Sequence, residues 1–195
     1  MRLAIFGGSF DPPHVGHLLA AEDAVDQLSL DRVLLVPTAT QPLKVGRAVA
    51  TAEQRLAMTR LLVDGDPRFE VSAVEVDRSG LSFTVDTLTH FAAAYPAAEL
   101  FLLLGTDVLA TFAQWREPER VLAMARPVVL ERADDGEPSL SPGLDARGTA
   151  ILRLSTRRVD VSSTEIRERV RNGKSIRGFV TDNVAEFIAR NRLYR

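Results

Sequence analysis

The chain has 195 residues, enough to bury one sizeable core and short for two, so a single domain over 1–195 is the default expectation. Its 46% hydrophobic and 26% charged residues match ordinary globular proteins and exclude disordered and collagen-like classes. A net charge of −2 offers no basic excess to polymeric nucleic acid, and the lack of cysteine excludes disulfides, thiol nucleophiles and cysteine-based zinc sites. No apolar run reaches membrane-spanning length, and no basic segment leads into a long apolar one near residue 1. A cytoplasmic location without membrane attachment is therefore expected.

In chain order, the apolar run 3–6 predicts a strand. The sequence Gly7-Gly8-Ser9-Phe10-Asp11-Pro12-Pro13-His14-Val15-Gly16-His17 follows as a strand-to-helix turn. Leu18, Ala21, Val25 and Leu28 then recur at helical spacing, and 32–36 is a second apolar strand. The three make one right-handed βαβ unit. Residues 37–50 lack periodicity and are expected to form a loop carrying one long cation, Lys44. Thr51-Ala52-Glu53-Gln54 fits a capping box, with Leu56, Met58, Leu61 and Leu62 supplying the apolar side of the helix it opens.

Residues 69–76 are predicted as a third strand, 78–83 as a turn and 84–91 as a helix. The run 100–104 is the clearest strand and ends at Gly105-Thr106-Asp107. Helices are expected over 108–112 and 118–125, on either side of Trp115, and a fifth strand over 127–130. Residues 132–149, rich in Asp, Gly, Pro and Ser, are expected to be an irregular loop, followed by a sixth strand over 150–154. Ser162-Ser163-Thr164-Glu165 suggests another capping box, Asn172-Gly173 a left-handed stop, and Val184, Phe187 and Ile188 one face of a last helix capped by Thr181. This alternation predicts a three-layer α/β fold with a mostly parallel central sheet in preference to an all-α bundle.

Two clusters carry the chemistry. His14 and His17 stand three apart across a glycine at a helix entrance, where unpaired amides and the helix dipole favour phosphate. On pattern alone, a cap and a packed ring explain the pair as well, and no ligand set for a metal accompanies them. Ser163, Thr164 and Arg167 sit three and four apart at another helix start, where hydroxyls, amides and a guanidinium converge on an anion as readily as they cap a helix. Phe83 and Trp115 suit either stacking on a ring or core packing, and Lys44 either a phosphate contact or solvation.

Taken together, GGSFDPPHVGH at 7–17, GLSFTVDTL at 80–88, LLGTDVLATFAQW at 103–115 and VSSTEIRERVRNGKSI at 161–176 resemble the nicotinate-nucleotide adenylyltransferase family of the nucleotidylyltransferase superfamily. The resemblance spans most of the chain. It implies a Rossmann-like nucleotidylyltransferase sandwich and transfer of AMP from ATP to nicotinate mononucleotide, forming nicotinate adenine dinucleotide and pyrophosphate in NAD biosynthesis. It assigns His14, His17 and Arg167 to catalysis. ATP falls to Gly7, Gly8, Ser9, Phe10, His14, His17, Lys44, Gly105, Asp107, Ser163, Thr164 and Arg167, and the mononucleotide to Ser9, Lys44, Phe83, Thr84 and Trp115. Mg²⁺ is expected mainly on the ATP phosphates, with no protein metal site; self-association into a homo-oligomer stays open. Three positions depart from the family pattern: Leu43 where histidine is frequent, Phe83 where tyrosine is, and Thr181 where proline is. The alternatives are the same ATP site serving another acceptor, such as nicotinamide mononucleotide or phosphopantetheine, and a nucleotide-binding regulator without turnover.

Overall fold

Short runs of Leu, Ile, Val and Phe buried on both faces build the sheet of this computed structural model, which describes residues 1–40, 49–132, 139–144 and 150–195. The strands are β1 (Arg2–Gly8), β2 (Arg32–Pro37), β3 (Phe69–Val71), β4 (Glu99–Gly105), β5 (Arg126–Arg132), β6 (Ser139–Leu144) and β7 (Ala150–Thr156). They form one sheet in the order β3-β2-β1-β4-β5-β7-β6. All neighbours run parallel except β6, which pairs antiparallel with β7 from the edge.

The helices are α1 (Val15–Leu28), α2 (Ala52–Val63), α3 (Val74–Arg78), α4 (Thr84–Ala94), α5 (Thr106–Leu109), α6 (Pro118–Met124), α7 (Ser163–Arg171) and α8 (Asp182–Arg190). Strand alternation divides the core between the two faces of the sheet. Ala4 and Phe6 of β1 pack with Val25 of α1, Met58 of α2, Ile166 of α7 and Ile188 of α8. Leu3 and Ile5 pack on the other face with Leu88 of α4 and Val121 of α6. The result is the expected three-layer α/β sandwich.

The C-terminal ends of β1 and β4 matter most. From β1 the chain crosses to β2 on one side, and β4 later returns to pair on the other, with Phe6 opposite Leu103. Strand order reverses there, and connecting segments diverge to leave a crevice at the strand ends. Both ends carry glycine.

Several local expectations change. The strand foreseen over 69–76 stops at Val71, because the Ser72 N–H makes its last bond to Leu35 O and the Ser72 hydroxyl then accepts from Val74 N–H, turning the chain into α3. The helix expected over 108–112 begins earlier, at Thr106, with Gly105 as an extended N-cap. It ends where the Thr111 hydroxyl donates to Val108 O, and a 3₁₀ turn covers Phe112–Gln114. The stretch 132–149 is interrupted by β6, whose pairing with β7 satisfies backbone that an exposed loop would leave to water.

Capping is mixed. Thr51 and Gln54 make the reciprocal box, at 3.2 and 2.9 Å. Ser162 gives a one-way cap, its hydroxyl accepting from Glu165 N–H at 3.2 Å. The Thr181 hydroxyl makes no cap bond and is buried with no hydrogen-bond partner among the described residues, contrary to its expected role. Gly173, with φ +65, supplies the left-handed stop after α7. Of the loop expected over 37–50, Pro37 belongs to β2 and Thr40 bridges to Leu81, while 41–48, including Leu43 and Lys44, lie outside the described residues.

A buried carboxyl ties α3 to α4: Glu75, 5% exposed, accepts a 2.6 Å bond from the Thr87 hydroxyl. Burial raises its pKa above the ordinary value of 4.5, with the Thr87 bond opposing. An acid whose pKa rises on folding contributes stability below its unfolded value, and that contribution is lost as pH climbs through the folded value. Glu75→Gln should therefore gain in melting temperature relative to wild type as pH rises above 4.5. Thermal melts across a pH series measure this, and a constant difference between the two proteins would contradict the burial argument.

Candidate active site

The turn 9–13 leaves the end of β1 and enters α1 at His14, which is the extended N-cap. A Cβ on Gly16 would lie 3.0 Å from His14 Nδ1, so any larger residue would press on the His14 ring where it folds back over the first helical turn. The ring then stacks on His17, with centroids 3.8 Å apart and planes tilted by 33°. His14 N–H donates to His17 Nδ1 at 3.2 Å, which leaves the His17 proton on Nε2. Below the pair lies an aromatic floor, with Phe10 5.0 Å and Phe6 6.1 Å from His17. Burial, and secondarily the neighbouring His14, hold the His17 pKa well below 6.5, so His17 is a neutral donor near pH 7.

Glycines shape the rim. A Cβ on Gly7 would meet nothing within 4 Å, whereas one on Gly8 would press on the Phe10 ring at 3.1 Å. Ser9 is exposed. Phe10, expected beside ATP, is 1% exposed, with its ring packed against His17. Across the crevice a Cβ on Gly105 would lie 2.8 Å from Asp107 Oδ1, so glycine is needed for that carboxylate to fold back over the end of β4.

The structure joins α7 to the histidine turn. Ser163 Oγ donates to Pro12 O at 2.8 Å, and Arg167 Nη1 donates to Asp11 O at 2.7 Å. Arg167 Nη2 donates to Thr164 Oγ1 at 3.1 Å. Two clusters separated by some 150 residues therefore share one wall, as their residue types suggested.

Phe83 and Thr84 are linked to the end of β1 by a longer route. Thr38 N–H donates to Gly8 O at 3.0 Å, and Ala39 N–H to Ser82 Oγ at 3.0 Å, next to Phe83 at the start of α4. Phe83 and Trp115 both pack against the core behind α4. Trp115 Nε1 donates to Thr111 Oγ1, and the Arg116 guanidinium lies 5.0 Å over the Phe83 ring. Arg116 was not singled out from the sequence, where an exposed arginine beside tryptophan carries no pattern.

Also unforeseen is the polar support under the turn. Arg55, 1% exposed, donates to Ser9 O at 2.7 Å, Ala39 O at 3.0 Å and Ala50 O at 3.3 Å. The Asp11 carboxylate, 3% exposed, accepts from Val49 N–H, Ala50 N–H and the Tyr194 hydroxyl. A single arginine within a helical face gives no hint of three remote carbonyl partners.

Among the described residues no group of three or more His, Cys, Asp or Glu side chains is placed to hold a metal ion. The buried oxygens of the turn are already bonded, the Asp11 carboxylate to Val49, Ala50 and Tyr194 and the Asp11 and Pro12 carbonyls to Arg167 and Ser163, and the imidazoles beside them are a poor match for a hard cation that prefers oxygen, such as Mg²⁺.

Comparison with other proteins agrees with this geometry. The cytidylyltransferase-like family matches residues 5–169. A protein of Gemmatimonas aurantiaca named "Probable nicotinate-nucleotide adenylyltransferase" is 53% identical, over 100% of this chain and 93% of its own. One of the same name from Thermus thermophilus is 45% identical over the full length of both chains. The nicotinic acid mononucleotide adenylyltransferase of Plasmodium falciparum, solved in complex with APC, superposes with a TM-score of 0.72 at 16% identity, over 99% of this chain and 96% of that one, and so shares the fold. With a histidine turn and a hydroxyl-arginine helix bonded into one wall, and relatives of this identity along its whole length, the chain belongs to the nicotinate-nucleotide adenylyltransferase family.

Proposed function

We propose that the chain transfers AMP from ATP to nicotinate mononucleotide, yielding nicotinate adenine dinucleotide and pyrophosphate. The observation that carries this reading is the bonding of α7 to the histidine turn through Ser163 and Arg167, at the switch between β1 and β4. It brings Ser163 and Arg167 of α7 against the turn that leads to His14 and His17.

A phosphate oxygen of the mononucleotide attacks the α-phosphorus of ATP. A new phosphorus–oxygen bond forms as the bond to the β-phosphate oxygen breaks, and its electron pair leaves with pyrophosphate. The attacking oxygen is already ionised, so no general base is needed, and orientation plus charge stabilisation carry the rate. His17 presents a neutral Nε2–H to a phosphate oxygen without the desolvation cost of a buried cation. His14 shares the load, with Ser163, Thr164 and Arg167 on the remaining oxygens. Gly7, Gly8 and Ser9 admit the phosphates close to the backbone, and Gly105 and Asp107 lie on the adenosine side. Mg²⁺ carried by the ATP phosphates, with no dedicated protein ligands, would supply charge neutralisation there. Lys44 is retained as a phosphate contact on the family likeness.

On the acceptor side, Trp115 offers a stacking face to the pyridine ring. The opening amides of α4 and the Thr84 hydroxyl receive its carboxylate, because the N-cap Phe83 makes no side-chain cap bond. Pyrophosphate release with ATP and a panel of mononucleotides tests the reaction itself.

Within that panel, kcat/KM for nicotinate mononucleotide should exceed that for the amide by roughly 10- to 100-fold, the value of a charge-assisted bond worth about 1.5–3 kcal/mol. Equal values would remove α4 from acceptor recognition. His17→Ala should lower kcat by at least ~100-fold, the scale for losing a transition-state donor. A folded variant turning over normally would exclude His17 from the mechanism.

A further inference from the structure

Beneath the proposed site, residues from four parts of the chain converge on the turn 9–12, and only α7 was anticipated. The Asp11 carboxylate accepts at 2.7 Å from Val49 N–H, at 3.2 Å from Ala50 N–H and at 2.7 Å from the Tyr194 hydroxyl. The carbonyl of the same residue accepts from Arg167, and the next one, Pro12 O, from Ser163. One short piece of backbone is thus gripped through its side chain from below and through its carbonyls from α7.

Tyr194 is brought there at a conformational cost. It follows α8, is 5% exposed, and has φ +62, while Arg192, two residues earlier, has φ +52. Two non-glycine residues in left-handed conformations within three positions are strained, and such strain persists only where the surroundings enforce it. Packing of the ring against the core accounts for the burial. It does not account for the hydroxyl, which spans 183 residues of sequence to reach Asp11. Burial, reinforced by the bond to Asp11, also pushes the phenol far above its usual range and keeps the proton on its oxygen as a donor.

We infer that Tyr194 is a positioning residue for adenylyl transfer: its hydroxyl fixes the Asp11 carboxylate and thereby the 11–12 backbone on which Arg167, Ser163 and His14 depend. The inference rests on the reaction proposed above. Without the hydroxyl, Asp11 Oδ2 keeps Val49 N–H at 2.7 Å but Oδ1 keeps only the 3.2 Å bond from Ala50 N–H, so the carboxylate is held less tightly on its Oδ1 side. The carbonyls of Asp11 and Pro12 then shift relative to α7, and the His14 cap begins from a displaced backbone. Misplaced groups weaken transition-state contacts more than ground-state ones, so the effect falls on kcat.

The test uses Tyr194→Phe, which keeps the ring, together with Asp11→Asn and the double variant. Tyr194→Phe should unfold as cooperatively as wild type and lower kcat by roughly 10- to 100-fold, the range seen when supporting contacts of a site are removed, with KM for ATP and acceptor within about twofold. Amide exchange at His14, Val49 and Ala50 should quicken in the free protein. Adding Tyr194→Phe to Asp11→Asn should cost little more than Asp11→Asn alone, because both act through one carboxylate. The inference is overturned if Tyr194→Phe turns over and exchanges like wild type, or if the two substitutions multiply. Exchange requires no substrate, so its outcome is separate from a failure of the wild-type chain to release pyrophosphate, which would instead defeat the reaction assignment.

Discussion

A turn leaving a central strand exposes carbonyls that the ladder no longer satisfies, and the way this chain satisfies them organises the site. Gly8 O takes Thr38 N–H, Ser9 O takes Arg55, Asp11 O takes Arg167 and Pro12 O takes Ser163. Each acceptor left bare and buried would cost about 1–3 kcal/mol. The partners come from the residue just after β2, from α2 and from α7, so the need to pair four carbonyls is also what draws the phosphate-facing helix to the histidines. Stability and site assembly share the same bonds here.

The histidine pair follows from that geometry. Rings 3.8 Å apart are poorly placed to be charged together, and burial depresses the His17 pKa further. The free protein therefore presents directed donors in place of a dense cationic patch. A triphosphate brings its own charge and cation, so a cradle in which His17 is a neutral donor beside one guanidinium can hold it without excess attraction for the departing pyrophosphate. This also fits a chain whose net charge is slightly negative.

The sheet was largely legible in the sequence because its strands are short apolar runs punctuated by glycine and turn residues. The run 100–104 and the β1-α1-β2 unit needed only periodicity and length. The reading failed where a polar side chain redirected the backbone: Ser72 ends β3 early, and Thr111 ends α5. β6 was missed because an edge strand containing Ser, Pro and Gly has the composition of a loop, and its pairing with β7 is tertiary. At the site, the His14/His17 and Ser163/Arg167 clusters stood out at helical spacing, but it was the family resemblance, not that spacing, that favoured ligand roles over capping and packing. Asp11, Arg55 and Tyr194 did not stand out, since a buried charge whose partners are distant backbone groups leaves no periodic trace. The burial of Phe10 left no trace either: its left-handed φ of +48 follows from the turn as a whole.

The bonds closing the histidine turn connect residues 151, 156 and 183 positions apart. Loop-closure entropy grows only logarithmically with such separations, so the penalty in the finished structure is small, but each closure must wait until nearly the whole chain is in register. A compact intermediate holding only β1, α1 and β2 would possess both histidines and no wall to work against. Recovery of turnover during refolding is thus a reporter of the longest-range contacts in the molecule, arriving after the secondary structure that spectroscopy detects first.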